Sequence, residues 1–236
     1  MIHAAKSPLQ ADGGAFYRLL KATSSLLKSD AKGYGGCQVI LRGRKVILRS
    51  YEDGFTDDEL ARIYRWSRDE EVLRWSGGSS MPLTFEEFKE RFKREQLKPD
   101  PRREVFVILT AEGELIGRVG CFAIDREEGQ AELGIVIGEK GYWGKGYGSD
   151  AVITLLRHIF ETEGLQRVCL FTFTHNVRAQ RCFAKCGFKR MGIVRRFSAE
   201  LGEHEGIEME IRREEFERLR QQEGTSPLPL ATCRRI

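Results

Sequence analysis

The sequence predicts an α/β fold of the α+β kind, built on a mixed sheet, and three stretches carry that expectation. Leu133, Ile135 and Ile137 alternate with Glu132, Gly134 and Val136, the two-residue period of a strand. The glycine-spaced run GYWGKGYGSDAV, Gly141 to Val152, follows directly, and Ala151, Val152, Leu155, Leu156, Ile159 and Phe160 then recur at helical spacing. Earlier, Val105 to Thr110 and Leu115 to Ala123 flank Ala111-Glu112-Gly113-Glu114, a hairpin signature. Strands joined once by a tight turn and once through a helix belong to a mixed sheet.

The remaining elements follow in order. Phe16, Leu19, Leu20, Leu26 and Leu27 form an approximate helical stripe, and Lys32 to Gly36 reads as a flexible tether. A first strand falls within Gly43 to Gly54. Helices are predicted near Thr56 to Ser67 and Thr84 to Gln96, the second opened by the capping pattern Thr84-x-x-Glu87. Val168 to Thr174 reads as a strand. Asn176 then caps a helix bearing Ala179, Cys182, Phe183 and Cys186 on one face, stopped by Gly187. Strands near Arg190 to Arg195 and Gly206 to Ile211 and a charged helix over Arg213 to Gln221 complete the pattern. This divides the chain into an N-terminal extension (1–37), one domain (38–221) and a C-terminal tail (222–236).

Composition bounds the function. With 236 residues, 41% hydrophobic and 31% charged, the chain can bury one substantial core, and no apolar stretch is long enough to span a bilayer. The formal net charge is +4. Lys6, Arg18, Lys21, Lys28 and Lys32 against Asp12 and Asp30 place most of it in the extension, so the domain has no global basic field calling for nucleic acid. Six cysteines without a C-x-x-C pair, and no signal peptide, suit reduced thiols in the cytoplasm. Cys182 and Cys186 lie one helical turn apart with His175 nearby; buried helix-face thiols account for that spacing without a metal.

The glycine run carries the chemistry. Gly144, Gly146 and Gly148 alternate with Lys145 and Tyr147, so a backbone free of Cβ atoms meets the positive end of a helix. Free N–H groups and a helix dipole at one point form an anion site, most naturally for a pyrophosphate. A Walker A loop is excluded because Gly146 follows Lys145, and the G-x-G-x-G spacing is a poor match to a dinucleotide fingerprint. A plain strand-to-helix connection is the competing reading of the turn taken alone.

The turn does not stand alone. The pair W-G-K-G-Y-G and N-x-R-A-x-R-x-F-x-K-x-G-F (Asn176 to Phe188), separated by a helix and a strand, resembles the GCN5-related N-acetyltransferases. Within them it is similar to the group acting on ribosomal-protein N-termini and like amines. Gly43 to Gly54 and Arg65 to Trp75 are similar to that group's first strand and first helical region, so the resemblance runs from about Leu41 to Leu219.

The resemblance implies about seven mostly antiparallel strands with a central splay. It implies that acetyl-CoA lays its pyrophosphate on the backbone of Trp143, Gly144, Lys145, Gly146, Tyr147 and Gly148, with the pantetheine bonded to N–H groups near Ile135, Val136 and Ile137. Asn176 is expected to bond the cofactor, to cap its helix, or both. Trp143 replaces the Gln or Arg that often opens the turn, and Phe183 stands where a tyrosine often protonates the departing thiolate. Glu132 is the first candidate base for the amine. Its alternatives are a carboxylate that binds the cationic substrate and a solvated charge; His175 is a weaker candidate base. The implied activity is acetyl transfer from acetyl-CoA to a primary amine, a protein N-terminus or a small molecule, by direct attack in a ternary complex. The alternative is a non-catalytic acyl-CoA-binding module. No metal, nucleic acid or membrane partner is expected, and the protein is expected to be a monomer or homodimer.

Overall fold

The computed structural model describes residues 37–78, 80, 82–198, 201–222 and 232–235. The strand expected within Gly43 to Gly54 forms as β2 (Val46–Ser50), and β1 (Cys37–Arg42), which was not expected, precedes it as the other arm of a hairpin. Its turn is fastened from a distance: the carboxylate of Asp150 accepts the backbone N–H groups of Arg44, Lys45 and Val46 at 3.1, 2.6 and 3.1 Å. Three helices follow, α1 (Asp57–Trp66), α2 (Glu70–Ser76) and α3 (Phe85–Gln96). Capping boxes from Thr56 and Glu59 and from Thr84 and Glu87 open α1 and α3, satisfying N–H groups that have no partner inside the helix.

The hairpin predicted around Gly113 forms as β3 (Glu104–Thr110) and β4 (Leu115–Asp125), and β5 (Gln130–Ile137) pairs with β4. After the glycine turn come α4 (Tyr147–Glu161), β6 (Arg167–Phe173), α5 (Val177–Lys185), β7 (Lys189–Ser198), β8 (Gly202–Arg212) and α6 (Arg213–Gln222). Residues 232–235, expected within a tail, instead form β9 (Thr232–Arg235) against β1. Among the described residues the sheet has nine strands rather than about seven, in the order β7-β8-β6-β5-β4-β3-β2-β1-β9. The additions are β1 and β9. The expected helix over 15–28 lies outside the described residues, as does the tether at Lys32 to Gly36.

Alternation along the strands sends side chains to two cores. Leu133 joins Leu155, Leu156, Ile159, Phe183 and Phe216 beneath α4, α5 and α6, whereas Val136 joins Ile63, Trp66, Phe88 and Phe92 beneath α1 to α3. Each such side chain contributes about 1.5–3 kcal/mol on burial. At the end of β5 the approach is so close that only glycine fits: a Cβ on Gly138 would lie 2.0 Å from the Trp66 ring.

One junction positions the site. Every neighbouring pair of strands is antiparallel except β5 and β6, which run parallel and pair only at Gln130, Ala131 and Glu132 with Arg167, Val168 and Cys169. Beyond that point β6 continues its pairing with β8 to Phe173, and β5 continues with β4 to Ile137. The sheet therefore splays open between β5 and β6, as the resemblance implied.

Candidate active site

The opened edge of β5 offers defined groups. Gly138 N–H, continuing the ladder, bonds to the Ile116 carbonyl of β4. Groups two residues apart point the same way, so the Val136 N–H also faces β4, while those of Ile135 and Ile137, beyond the last pair with β6, face the splay. Of the three expected N–H donors, Val136 is thus corrected: it lines the site without presenting its N–H. The Ile137 carbonyl on the same edge accepts the Trp143 indole N–H at 2.8 Å, which locks the start of the turn to the strand.

The turn then delivers the helix end. Gly146 has φ 88°, a conformation that strains any residue with a side chain, and serves as the N-cap of α4 without a side-chain cap. The first intrahelical bond runs from Asp150 N–H to the Gly146 carbonyl, leaving the N–H groups of Tyr147, Gly148 and Ser149 without helical partners. Lys45 Nζ donates to the Lys145 carbonyl at 3.0 Å, adding a cation to the outer side of the turn.

The splay, the turn and α5 enclose a cavity of about 550 Å³. Of the residues singled out from sequence, Ile135, Val136, Ile137, Trp143, Gly144, Gly146, Gly148, Asn176 and Phe183 line it. Lys145 and Tyr147 do not; the Tyr147 ring instead packs edge-on against Tyr142 at 4.9 Å. Cys182, noted for its spacing from Cys186, also lines it, as do residues that were not singled out, chiefly Trp75, Ser149, Arg178, Arg181 and Lys185. The two arginines and the lysine stand within the N-x-R-A-x-R-x-F-x-K motif at one-turn spacing, a signal available in the sequence. Trp75 comes from α2 and had no such signal. Three cationic side chains and an uncapped helix terminus, with no carboxylate in the wall among the described residues, suit a polyanionic ligand.

Asn176 performs the capping role. Its Oδ1 accepts the Ala179 N–H at 3.1 Å and its Nδ2 donates to the Trp75 carbonyl at 3.1 Å, tying α5 to the end of α2. Phe183 is buried and packs edge-on with Phe188, so no proton donor stands at that position. Above the cavity the Arg178 guanidinium lies 3.9 Å over the Trp143 ring and 5.4 Å from that of Trp75.

Glu132 is placed differently from expectation. It sits in the last paired position before the splay, outside the cavity wall, and Arg196 Nη1 of β7 donates to its Oε1 at 2.9 Å. It is therefore a buried, ion-paired carboxylate rather than a solvated charge. Next to it, burial, with the Glu132 charge, pushes the Cys169 thiol up to about 11. His175 is exposed and stacks on Phe173 at 5.2 Å, with Trp75 at 5.7 Å on its other side. Cys182 and Cys186 both face Ser149 of α4.

Residues 46–189 match the family described as acetyltransferase (GNAT) domain. The chain belongs to the GNAT acetyltransferase family. It is similar to the uncharacterized N-acetyltransferase YoaA of Bacillus subtilis, 28% identical over 171 residues, covering 69% of this chain and 90% of that protein. It is also similar to the aminoglycoside N(6')-acetyltransferase type 1 of Klebsiella pneumoniae, 24% identical over 149 residues, covering 59% and 73%. A solved structure of spermidine N-acetyltransferase from Vibrio cholerae, in complex with CoA and spermine, shares the fold with a TM-score of 0.61 at 21% identity, covering 72% of this chain and 97% of that one. This GNAT protein is an acyltransferase, which sets aside the binding-module reading. Among the described residues no helix is long and apolar enough to cross a membrane.

Proposed function

We propose that this acyltransferase moves the acetyl group of acetyl-CoA to a primary amine, at a protein N-terminus or on a small molecule, by direct attack in a ternary complex. The carrying observation is that the uncapped N-terminus of α4 and the open edge of β5 face one cavity. The N–H groups of Tyr147, Gly148 and Ser149 would hold the pyrophosphate, with Arg181 and Lys185 adding charge. The N–H groups of Ile135 and Ile137 would bond the pantetheine amides as an added strand does, and one donor aimed at the thioester oxygen would stabilise the developing oxyanion, worth roughly 3–4 kcal/mol.

Acetyl-CoA supplies an activated acyl group; the chain's residues orient it and exclude water. Phe183 gives no proton, and none is demanded, because a thiol of pKa about 8.5 departs largely as thiolate. An alkyl amine with pKa about 10 must lose a proton first. Glu132, at the closed end of the splay, is the candidate to take it through water or to hold the cation. The motif pair favours the ribosomal-protein-type group over other branches, and the amine substrates named for the spermidine and aminoglycoside enzymes fit a primary amine as acceptor.

Calorimetric titration with acetyl-CoA should give saturable heat without an acceptor. Thiol release should then require an amine from a panel of peptides with free N-termini, polyamines and aminoglycosides. No heat on titration would overturn the cofactor assignment. Heat without thiol release from any amine would overturn the acceptor class.

A further inference from the structure

Cys182 is a second nucleophilic feature of the cavity, distinct from anything acetyl transfer uses. Its partly exposed thiol lines the cavity wall. Sγ lies 3.2 Å from Ser149 Oγ and 3.7 Å from where a Cβ on Gly148 would stand, so it abuts the second and third residues of α4. That is the positive end of the helix, which favours a thiolate as it favours a phosphate. One turn on, the buried Cys186 thiol bonds to the Ser149 carbonyl at 3.6 Å. Its interactions with Cys186 and Ser149, with Lys185 nearby, outweigh burial and hold the Cys182 thiol below its ordinary range, while Cys186, the other member of the pair, is pushed up. Cys121 and Cys169 are buried with raised values and lie away from the cavity.

We propose that Cys182 is a modification site for small electrophiles and hydroperoxides, and that its modification and the binding of coenzyme A exclude each other. With a hydroperoxide, the thiolate sulfur attacks one peroxide oxygen, an S–O bond forms and the O–O bond breaks. The departing hydroxide or alkoxide takes the proton of the S–OH group so formed. Sulfur is oxidised to the sulfenate and the peroxide is reduced to water or alcohol. The exclusion follows from shared ground: thiolate and pyrophosphate are both anions at one helix terminus, so a bound pyrophosphate shields the thiol and disfavours its charge. A group added to sulfur fills the same part of the cavity. The exclusion rests on the proposed cofactor assignment; the reactivity of the thiol does not.

The test uses the full chain, with limiting iodoacetamide and, separately, hydrogen peroxide with a sulfenate trap, mapped by peptide mass at pH 7 with and without saturating coenzyme A. Cys182 should react at least about tenfold faster than Cys121, Cys169 and Cys186, as expected for a partly exposed thiol at a helix N-terminus against three buried ones. Coenzyme A should slow it at least tenfold, and alkylated protein should lose its calorimetric binding. Cys182→Ser, whatever its starting affinity, should lose none of it on the same treatment. Heat of coenzyme A binding with slow labelling of Cys182 would overturn the proposal. Fast labelling in a protein that gives no binding heat would overturn the cofactor assignment and the exclusion while leaving the reactive thiol standing.

Discussion

Arg178 of α5 stacks on Trp143 of the glycine turn, its guanidinium carbon 3.9 Å from the ring centroid. The contact joins the two sequence motifs that identify the family across the mouth of the cavity, with Trp75 of α2 as a third, looser partner at 5.4 Å. A partly desolvated cation–π pair of this kind contributes about 1–2 kcal/mol. Arg178→Ala should therefore weaken acetyl-CoA binding roughly tenfold in calorimetric titration and change the Trp143 fluorescence. Arg178→Lys should recover only part, since an ammonium lacks the planar face. Unchanged affinity in Arg178→Ala would show that the stack does not shape the site.

The turn itself is best probed at Gly148. Gly146, at φ 88°, strains any side chain, so its substitution mixes folding with binding. Gly148 is not among the positive-φ residues, and the nearest atom to an added Cβ would be the Cys182 sulfur at 3.7 Å, ordinary contact. Gly148→Asp places a negative charge among the open N–H groups without strain. Acetyl-CoA binding should be lost while the melting temperature stays within a few degrees of the parent. Retained binding would rule out this helix terminus as the phosphate site.

The order of elements and the anion turn were legible because each had a local signal. Thr84 and Glu87 close a capping box at the expected helix start, and Asn176 caps α5 as its spacing required. The splay, too, was correctly implied. What escaped depends on partners remote in sequence. The β1–β2 turn is fixed by Asp150, over a hundred residues away, and β9 pairs with β1 from the other end of the chain. Trp75 reaches the cavity through the bond between its carbonyl and Asn176. Glu132 read as a candidate base, with no sign of its ion pair, because nothing local announces Arg196, 64 positions on.

That pair yields a separable prediction. Glu132 and Arg196 are both largely buried, with side-chain exposures of 7% and 13%, and removing one partner of such a pair costs about 3–5 kcal/mol. Glu132→Gln should lower stability in urea denaturation by something near that range, and a second change, Arg196→Met, should return part of it. Catalysis is read apart from stability, at temperatures where both forms are folded. A base role predicts a kcat loss that shrinks as pH approaches the amine's pKa; a cation-holding role predicts raised KM with kcat intact. A pH-independent fall in kcat would count against both.

At the far end of α4, His158 supplies a pH signature of the fold. Burial alone would lower its pKa, but the Glu104 carboxylate bonded to Nε2 at 2.9 Å, with the Glu163 charge beyond, raises it net above 6.5. The folded state thus holds the His158 proton more tightly than the unfolded chain does. Its stabilisation is fully present below the unfolded pKa of about 6.5 and is lost as pH rises through the folded value. The stability difference between the parent protein and His158→Gln should accordingly be largest near pH 6 and decline at higher pH. Glu104→Gln should cost about 1.5–3 kcal/mol at pH 6 and less at high pH, since it removes a charge-assisted hydrogen bond. Urea denaturation at several pH values measures both, and an NMR titration placing His158 below 6.5 would overturn the assignment.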